Sequence, residues 1–360
     1  MSNSLQLTNI GELVTANSAG VERYQNSSLC IEDGKISSIS DRNGDQIIDC
    51  GGKMVTAGFV DSHTHPVFYN KRDEEYRMRL AGATYEEIAE KGGGIISSVE
   101  GVRNASKEAL VEKVMQRMDR FIAGGTTTIE AKSGYGLNTD SELKSLSVID
   151  EVNQNHPIDM VPTFMGAHAF PKEFSNDHDA YIDLICNEMI PAVTDQGVAI
   201  FNDVFCEDKY FTVDQSRRIL EAGREHGLKP RLHADEFVDS GAAVLAGEIN
   251  AFSADHLMAV SEIGIRSIVD NDVVATLLPG TTFFLGKSNY APARKLIDNN
   301  VTVALATDFN PGSSHIQSMP FIMTLACMHM EMTVEEAFQS ATYNGAKALG
   351  MENEIGSIEV

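Results

Sequence analysis

The sequence predicts a closed (β/α)₈ barrel, an α/β fold, carried beside a small β domain. Three observations lead there. Eight strand-length segments recur from Val55 onward. Helix-length segments with apolar residues three and four apart separate them. The length, 360 residues, holds a barrel of about 250 residues with an extra layer to spare. An open doubly wound sheet shares the alternation, but no GxGxxG follows the first run, as its dinucleotide-binding form requires.

Residues 1–53 form the small β domain. Leu5–Ile10, Ser28–Glu32 and Lys35–Ser40 read as strands, Asp33-Gly34 is a hairpin-turn pair, and Gly51-Gly52 closes the section. The barrel takes residues 54–350. Its strands are expected at Val55–Asp61, Thr126–Lys132, Met160–Met165, Ala199–Phe205, Pro230–Asp235, Ala251–Asp255, Val273–Leu278 and Thr302–Thr307. Helices are expected at Lys107–Ile122 and Val213–His226, and a last one at Thr333–Leu349.

Composition narrows the function. A 42% apolar content with negative mean hydropathy fits a soluble protein with a large core. Lys+Arg 28 against Asp+Glu 52 leaves a net charge of −24, which argues against nucleic acid and anionic membranes as partners. Five scattered cysteines without CxxC spacing read as buried thiols in a reducing compartment. The N-terminus has no secretory pattern and no run is long enough to span a bilayer, so the expected location is the cytoplasm.

In a barrel of this kind the loops after the strands build the active site. The first strand runs into Asp61-Ser62-His63-Thr64-His65, and alternation puts His63 and His65 on one side, about 7 Å apart. Further polar residues close other strands: Lys132 to Gly136, His168, His233 to Glu236, Asp255-His256, and Thr307 to Ser313. A lone histidine is more often a structural hydrogen-bonder, yet five of the ten histidines fall at these ends. Three neutral imidazoles and one carboxylate, His63, His65, His233 and Asp308, suit one Zn²⁺ or Fe³⁺ per subunit. Such an ion makes hydroxide available near neutral pH. Glu236 is the expected proton shuttle, His256 the electrophile at a carbonyl oxygen, and Asp308 also orients water. Arg72 is a candidate clamp for a carboxylate, with a surface helix charge as the equal alternative. Tyr135 and His168 offer hydrogen-bond donors. Lys132 is not claimed as a ligand, and Lys91 to Gly94 lacks the order of a phosphate loop.

VDSHTHP, HADEF, SADHL and ATDFNPGSS resemble the amidohydrolase superfamily in its single-metal arrangement. More narrowly, GATYEEIAEKGGGI, GTTTIEAKSGYGL, VPTFMGAHA, DVFCE, LLPGTTFFL and YAPARKLID resemble the imidazolonepropionase family, from about residue 5 to the end of the chain. The resemblance implies hydrolysis of the cyclic amide C–N bond of 4-imidazolone-5-propanoate to N-formimidoyl-L-glutamate, in histidine degradation. It implies that Arg72, Tyr135 and His168 hold this small-molecule substrate, with Glu236 at the reacting centre. Asn310, Gly312 and Ser313 would close around it and Tyr85 contribute from an earlier segment. It also implies a homodimer. Two departures stand out: Tyr69-Asn70-Lys71 before Arg72, where the family has small residues, and His315, where it has proline. The family continues past Val360 and completes a small β-sandwich there, so residues 351–360 read as the start of a truncated return to the β domain.

Overall fold

The computed structural model describes residues 4–40, 44–82 and 93–360. Eight parallel strands form one sheet in sequence order: β6 (Phe59–Asp61), β7 (Thr126–Lys132), β8 (Asp159–Ala167), β9 (Phe201–Cys206), β10 (Lys229–Ala234), β11 (Ser253–His256), β12 (Val274–Leu277) and β13 (Val303–Leu305). Helices follow the strands, as right-handed parallel crossovers require. The ring is drawn together past the strand ends. Thr64 bridges Phe309 in parallel, Asp308 N donates to the His63 carbonyl at 3.1 Å, and His65 N donates to the Phe309 carbonyl at 2.8 Å. The first and last strands therefore meet where His63, His65 and Asp308 stand.

The second sheet has five strands: β1 (Ser4–Asn17), β2 (Gly20–Glu32), β3 (Lys35–Ser38), β4 (Gln46–Asp49) and β5 (Met54–Thr56), ordered β3-β2-β1-β4, with β5 also on β1. Asp33 and Gly34 both have positive φ, 51° and 79°, as a two-residue hairpin turn of the mirror-image type demands. The expected strand Val55–Asp61 is in fact two. Met54–Thr56 pairs with β1 of the small sheet, and Phe59–Asp61 begins the barrel. Gly58 lies between them, where a Cβ would come within 2.1 Å of Thr127 Oγ1. The chain's last residues return to this sheet: Ile358 N donates to Thr15 Oγ1 at 2.7 Å, and its side chain packs with Ile10, Leu13 and Leu29.

The main core lies between the barrel wall and the surrounding helices. Helix Lys107–Ala123 shows how it is specified. Ser106 caps its start by accepting from Ala109 N, and Leu110, Val114, Met118 and Phe121 form its fully buried stripe. Each such side chain is worth about 1.5–3 kcal/mol of burial. The single final helix expected at Thr333–Leu349 is two, Val334–Ser340 and Tyr343–Ala348, broken at Ala341-Thr342.

Candidate metal centre and active site

The seam at the end of β6 sets the site. Extended backbone past Asp61 points His63 and His65 to the same side, and their Nε2 atoms lie 3.3 Å apart. His233, from β10, brings its Nε2 to 3.4 Å from that of His65. Asp308 Oδ1 is 3.5 Å from both His63 and His65 Nε2. All four are buried.

The outer nitrogens are fixed by carboxylates. His63 Nδ1 donates to Asp255 Oδ2 at 2.6 Å, and Arg231 Nη2 holds the same oxygen at 3.3 Å. His233 Nδ1 donates to Asp203 Oδ1 at 3.1 Å. Asp203 Oδ2 accepts from Lys132 Nζ at 2.7 Å, and Lys132 also pairs with Glu130 at 2.7 Å. Lys132 is thus the counter-charge behind His233 and not itself a ligand. With these protons spent outward, the Nε2 atoms of His63 and His233 present lone pairs to one space.

This donor set fits a cation. Around His65 Nε2 stand three acceptors, His63 Nε2, His233 Nε2 and Asp308 Oδ1, and one N–H serves at most one of them. Burial, reinforced by neighbouring positive charge, holds His63 and His65 well below the usual histidine range, so protonation does not relieve the crowding. Burial also pushes Asp308 up to about 6, against the hydrogen bond from Thr281 Oγ1 at 2.5 Å. A positive ion among these atoms removes both penalties. His256 lies close enough to join a second trio with His63 and His233.

Backbone strain aims several of these groups. Asp235, His256 and Asp308 have positive φ, 48°, 79° and 50°, which is uncommon outside glycine. At Asp235 the turn is held by its own carboxylate, which accepts from Ser240 N at 3.0 Å, Ala242 N at 3.0 Å and Ala243 N at 3.1 Å. That turn swings Glu236 into a cavity of about 400 Å³ that His65, Glu236, His256 and Asp308 line. Glu236 Oε2 is 3.7 Å from His256 Nε2, and burial followed by the Asp308 charge raises the Glu236 carboxyl well above its usual range.

The other expected residues converge on the same cavity. Tyr135 and His168 line it. His168 stacks on His65 with centroids 5.0 Å apart, donates from Nδ1 to the Gly134 carbonyl at 2.9 Å, and is driven by burial to about 3. Arg72 lines it too, held by Glu75 through Nε at 2.9 Å and Nη2 at 2.6 Å. The surface helix charge that was its alternative is here a half-buried ion pair at the start of a helix. Asn310 spends its side chain inside its own loop: Oδ1 accepts from Gly312 N at 2.8 Å and Ser313 N at 2.7 Å, and Nδ2 donates to the Asp308 carbonyl at 2.7 Å. His315 Nε2 donates to the Pro311 carbonyl at 2.9 Å and closes that loop from behind. Tyr85 lies outside the described residues. Sequence reasoning passed over Asp203 and Arg79. Asp203 carried a signal, a carboxylate inside the apolar run Phe201–Cys206, and Arg79 carried one in its helical spacing from Arg72.

An eight-stranded barrel whose closing seam gathers three imidazoles and a carboxylate defines the amidohydrolase class. Residues 256–360 match the Amidohydrolase family model. Solved barrels of this kind agree in fold: triazine hydrolase from Arthobacter aurescens superposes with a TM-score of 0.78 at 16% identity, over 99% of this chain and 84% of that one. Guanine deaminase from C. acetobutylicum with bound guanine gives 0.71 at 18% identity, over 100% and 88%. The sequence relatives are nearer. Imidazolonepropionase of Geobacillus thermodenitrificans is 50% identical over 93% of this chain and 81% of its own length. That of Treponema denticola is 48% identical over 88% and 76%. The chain belongs to the imidazolonepropionase family.

Proposed function

We propose that the chain hydrolyses the ring C–N bond of 4-imidazolone-5-propanoate to N-formimidoyl-L-glutamate, a step of histidine degradation, with one Zn²⁺ or Fe³⁺ held by His63, His65, His233 and Asp308. The observation that carries the reading is the set of three inward Nε2 atoms and one carboxylate oxygen within 3.5 Å of its neighbours, in a chain half identical to imidazolonepropionases. When bound, the ion supplies Lewis acidity at the ring carbonyl and makes water a competent nucleophile near neutral pH. The oxygen of water adds to the carbonyl carbon, the bond to the ring nitrogen breaks, and that nitrogen takes up a proton. Glu236 is suited to carry that proton, because burial and the nearby Asp308 charge raise its carboxyl well above the usual carboxylate range. His256, kept neutral by burial, can donate an N–H to the oxygen that gains charge. Tyr135 and His168 flank the ring, and Arg72 faces the propanoate arm.

No described helix is long and apolar enough to cross a membrane. The homodimer and the cytoplasmic location belong to the same proposal, and sedimentation of the purified protein measures the first. The activity is tested by following loss of substrate absorbance with and without a chelator. Turnover should stop when the ion is removed and return when Zn²⁺ or Fe³⁺ is restored. Glu236→Gln should keep the ion and lose about 10²–10⁴ in kcat. Faster turnover of guanine or cytosine than of imidazolonepropanoate would contradict the assignment.

A further inference from the structure

The helix Asp73–Leu80 has no buried residue, and the stripe it turns toward the barrel is charged instead of apolar. Arg72, Glu75, Tyr76 and Arg79 recur at the spacing of one helix face, and Arg72, Glu75 and Arg79 all line the cavity. The two arginines are committed differently. Arg72 gives the fork of its guanidinium to Glu75, whose carboxylate also accepts from Gly94 N at 3.0 Å. That pair is close to neutral as a unit. Arg79 enters from two helical turns further on. Its Nη2 donates to the Gly312 carbonyl at 2.7 Å, and its guanidinium lies 5.7 Å from the Phe284 ring centre and 5.9 Å from that of Tyr76. Among the described residues no carboxylate bonds to it. Gly312 sits between the two arginines: a Cβ there would come within 2.3 Å of Arg72 Nη1.

We propose that Arg79 is a second carboxylate-recognising cation of the pocket, binding the propanoate arm of the substrate beside Arg72. This rests on the hydrolase reading above. A carboxylate entering the cavity meets an Arg72 already paired with Glu75, so the added positive charge beside it comes from Arg79, while the third lining cation, Lys287, stands 4.6 Å from the Phe237 ring centre. In a half-buried setting a guanidinium–carboxylate contact is charge-assisted and weakly screened. The stacked Tyr76 and Phe284 rings, with centroids 4.5 Å apart, hold the guanidinium in place before substrate arrives.

The test compares two ligands of nearly the same shape, one anionic and one neutral, imidazole-4-propanoate and its amide, imidazole-4-propanamide, titrated calorimetrically into the metal-loaded protein. No turnover is needed. The wild type should prefer the carboxylate, and Arg79→Gln should lower that preference about ten- to a hundredfold. Arg79→Lys keeps the charge and loses the fork. It should fall between the two, and it decides the matter if the glutamine variant does not fold. A preference left unchanged, with both ligands weakened equally, makes Arg79 a support of the Gly312 loop only and overturns the proposal. So does a wild type with no preference. A protein that shows the preference but does not turn over 4-imidazolone-5-propanoate sinks the activity assignment and leaves the role of Arg79 standing.

Discussion

Asp255 and Asp203 decide which nitrogen of His63 and of His233 faces the four-residue cluster. Each takes the Nδ1 proton of one histidine and so exposes the Nε2 lone pair. Asp255→Asn can offer an N–H to His63 Nδ1 instead, which moves the ring proton to Nε2, against the ion. Metal affinity should then fall about 10- to 100-fold with the fold intact, measured by equilibrium dialysis against a chelator. Unchanged affinity would show that the tautomer is set elsewhere. His168 gives a pH prediction. Its folded value near 3 lies below the usual 6.5, so the folded chain binds fewer protons than the unfolded one between those values. Its stabilising contribution is present above about 6.5 and is lost as pH falls toward 3. Asp61, raised by burial to about 7, acts in the opposite sense, so the comparison must be with a variant. Wild type minus His168→Gln should gain up to about 1.4 kcal/mol of stability per pH unit between pH 4 and 6 in the metal-free protein. Parallel denaturation curves would refute it. At this scale the sequence named the four candidate ligands from residue type and strand position. It could not name the orienting partners as such, because Asp203 meets His233 between adjacent strands and Asp255 meets His63 across the barrel, and local spacing records neither pairing.

Elements were legible where one physical pattern ran uninterrupted. The apolar stripe of Lys107–Ala123 and the β-branched run of β7 each carry one period and one environment, and the expected bounds lie within a residue of the observed ones. The misreadings fall where one run serves two partners. Met54 to Asp61 leaves the small sheet and enters the barrel without a change in hydrophobicity, and only Gly58 marks the crossing. The last helical segment also breaks for a tertiary reason. Its second half, Tyr343–Ala348, must turn to cover the wall beneath β6, where a Cβ at Gly345 would lie 2.7 Å from the Val60 carbonyl. Gly345→Ala should therefore cost about 1–3 kcal/mol through overpacking, although alanine is the better helix former. A urea melt measures this. A stabilised variant would show that the contact relaxes freely.

For the whole molecule, the fold class followed from counting: eight alternations in a chain of this length close a ring. Closure was inferred from that count alone; the contacts that make it join residues 246 positions apart in sequence, as where Thr307 N donates to the Asp61 carboxylate at 3.0 Å, and leave no local signature. That seam joins scaffold to chemistry, because tightening it brings Asp308 to His63. The net charge of −24 likewise gave no view of the pocket, where Arg72, Arg79 and Lys287 stand among the lining residues. The central claim is that side chains from β6, β10 and β13 share one ion. X-ray absorption at the metal edge of protein reconstituted with one equivalent of Zn²⁺ tests it most directly. The account predicts a shell of nitrogen and oxygen only, at about 2.0–2.2 Å, with imidazole scattering that drops in His233→Ala. A sulfur ligand, or a spectrum unchanged by that substitution, would contradict it.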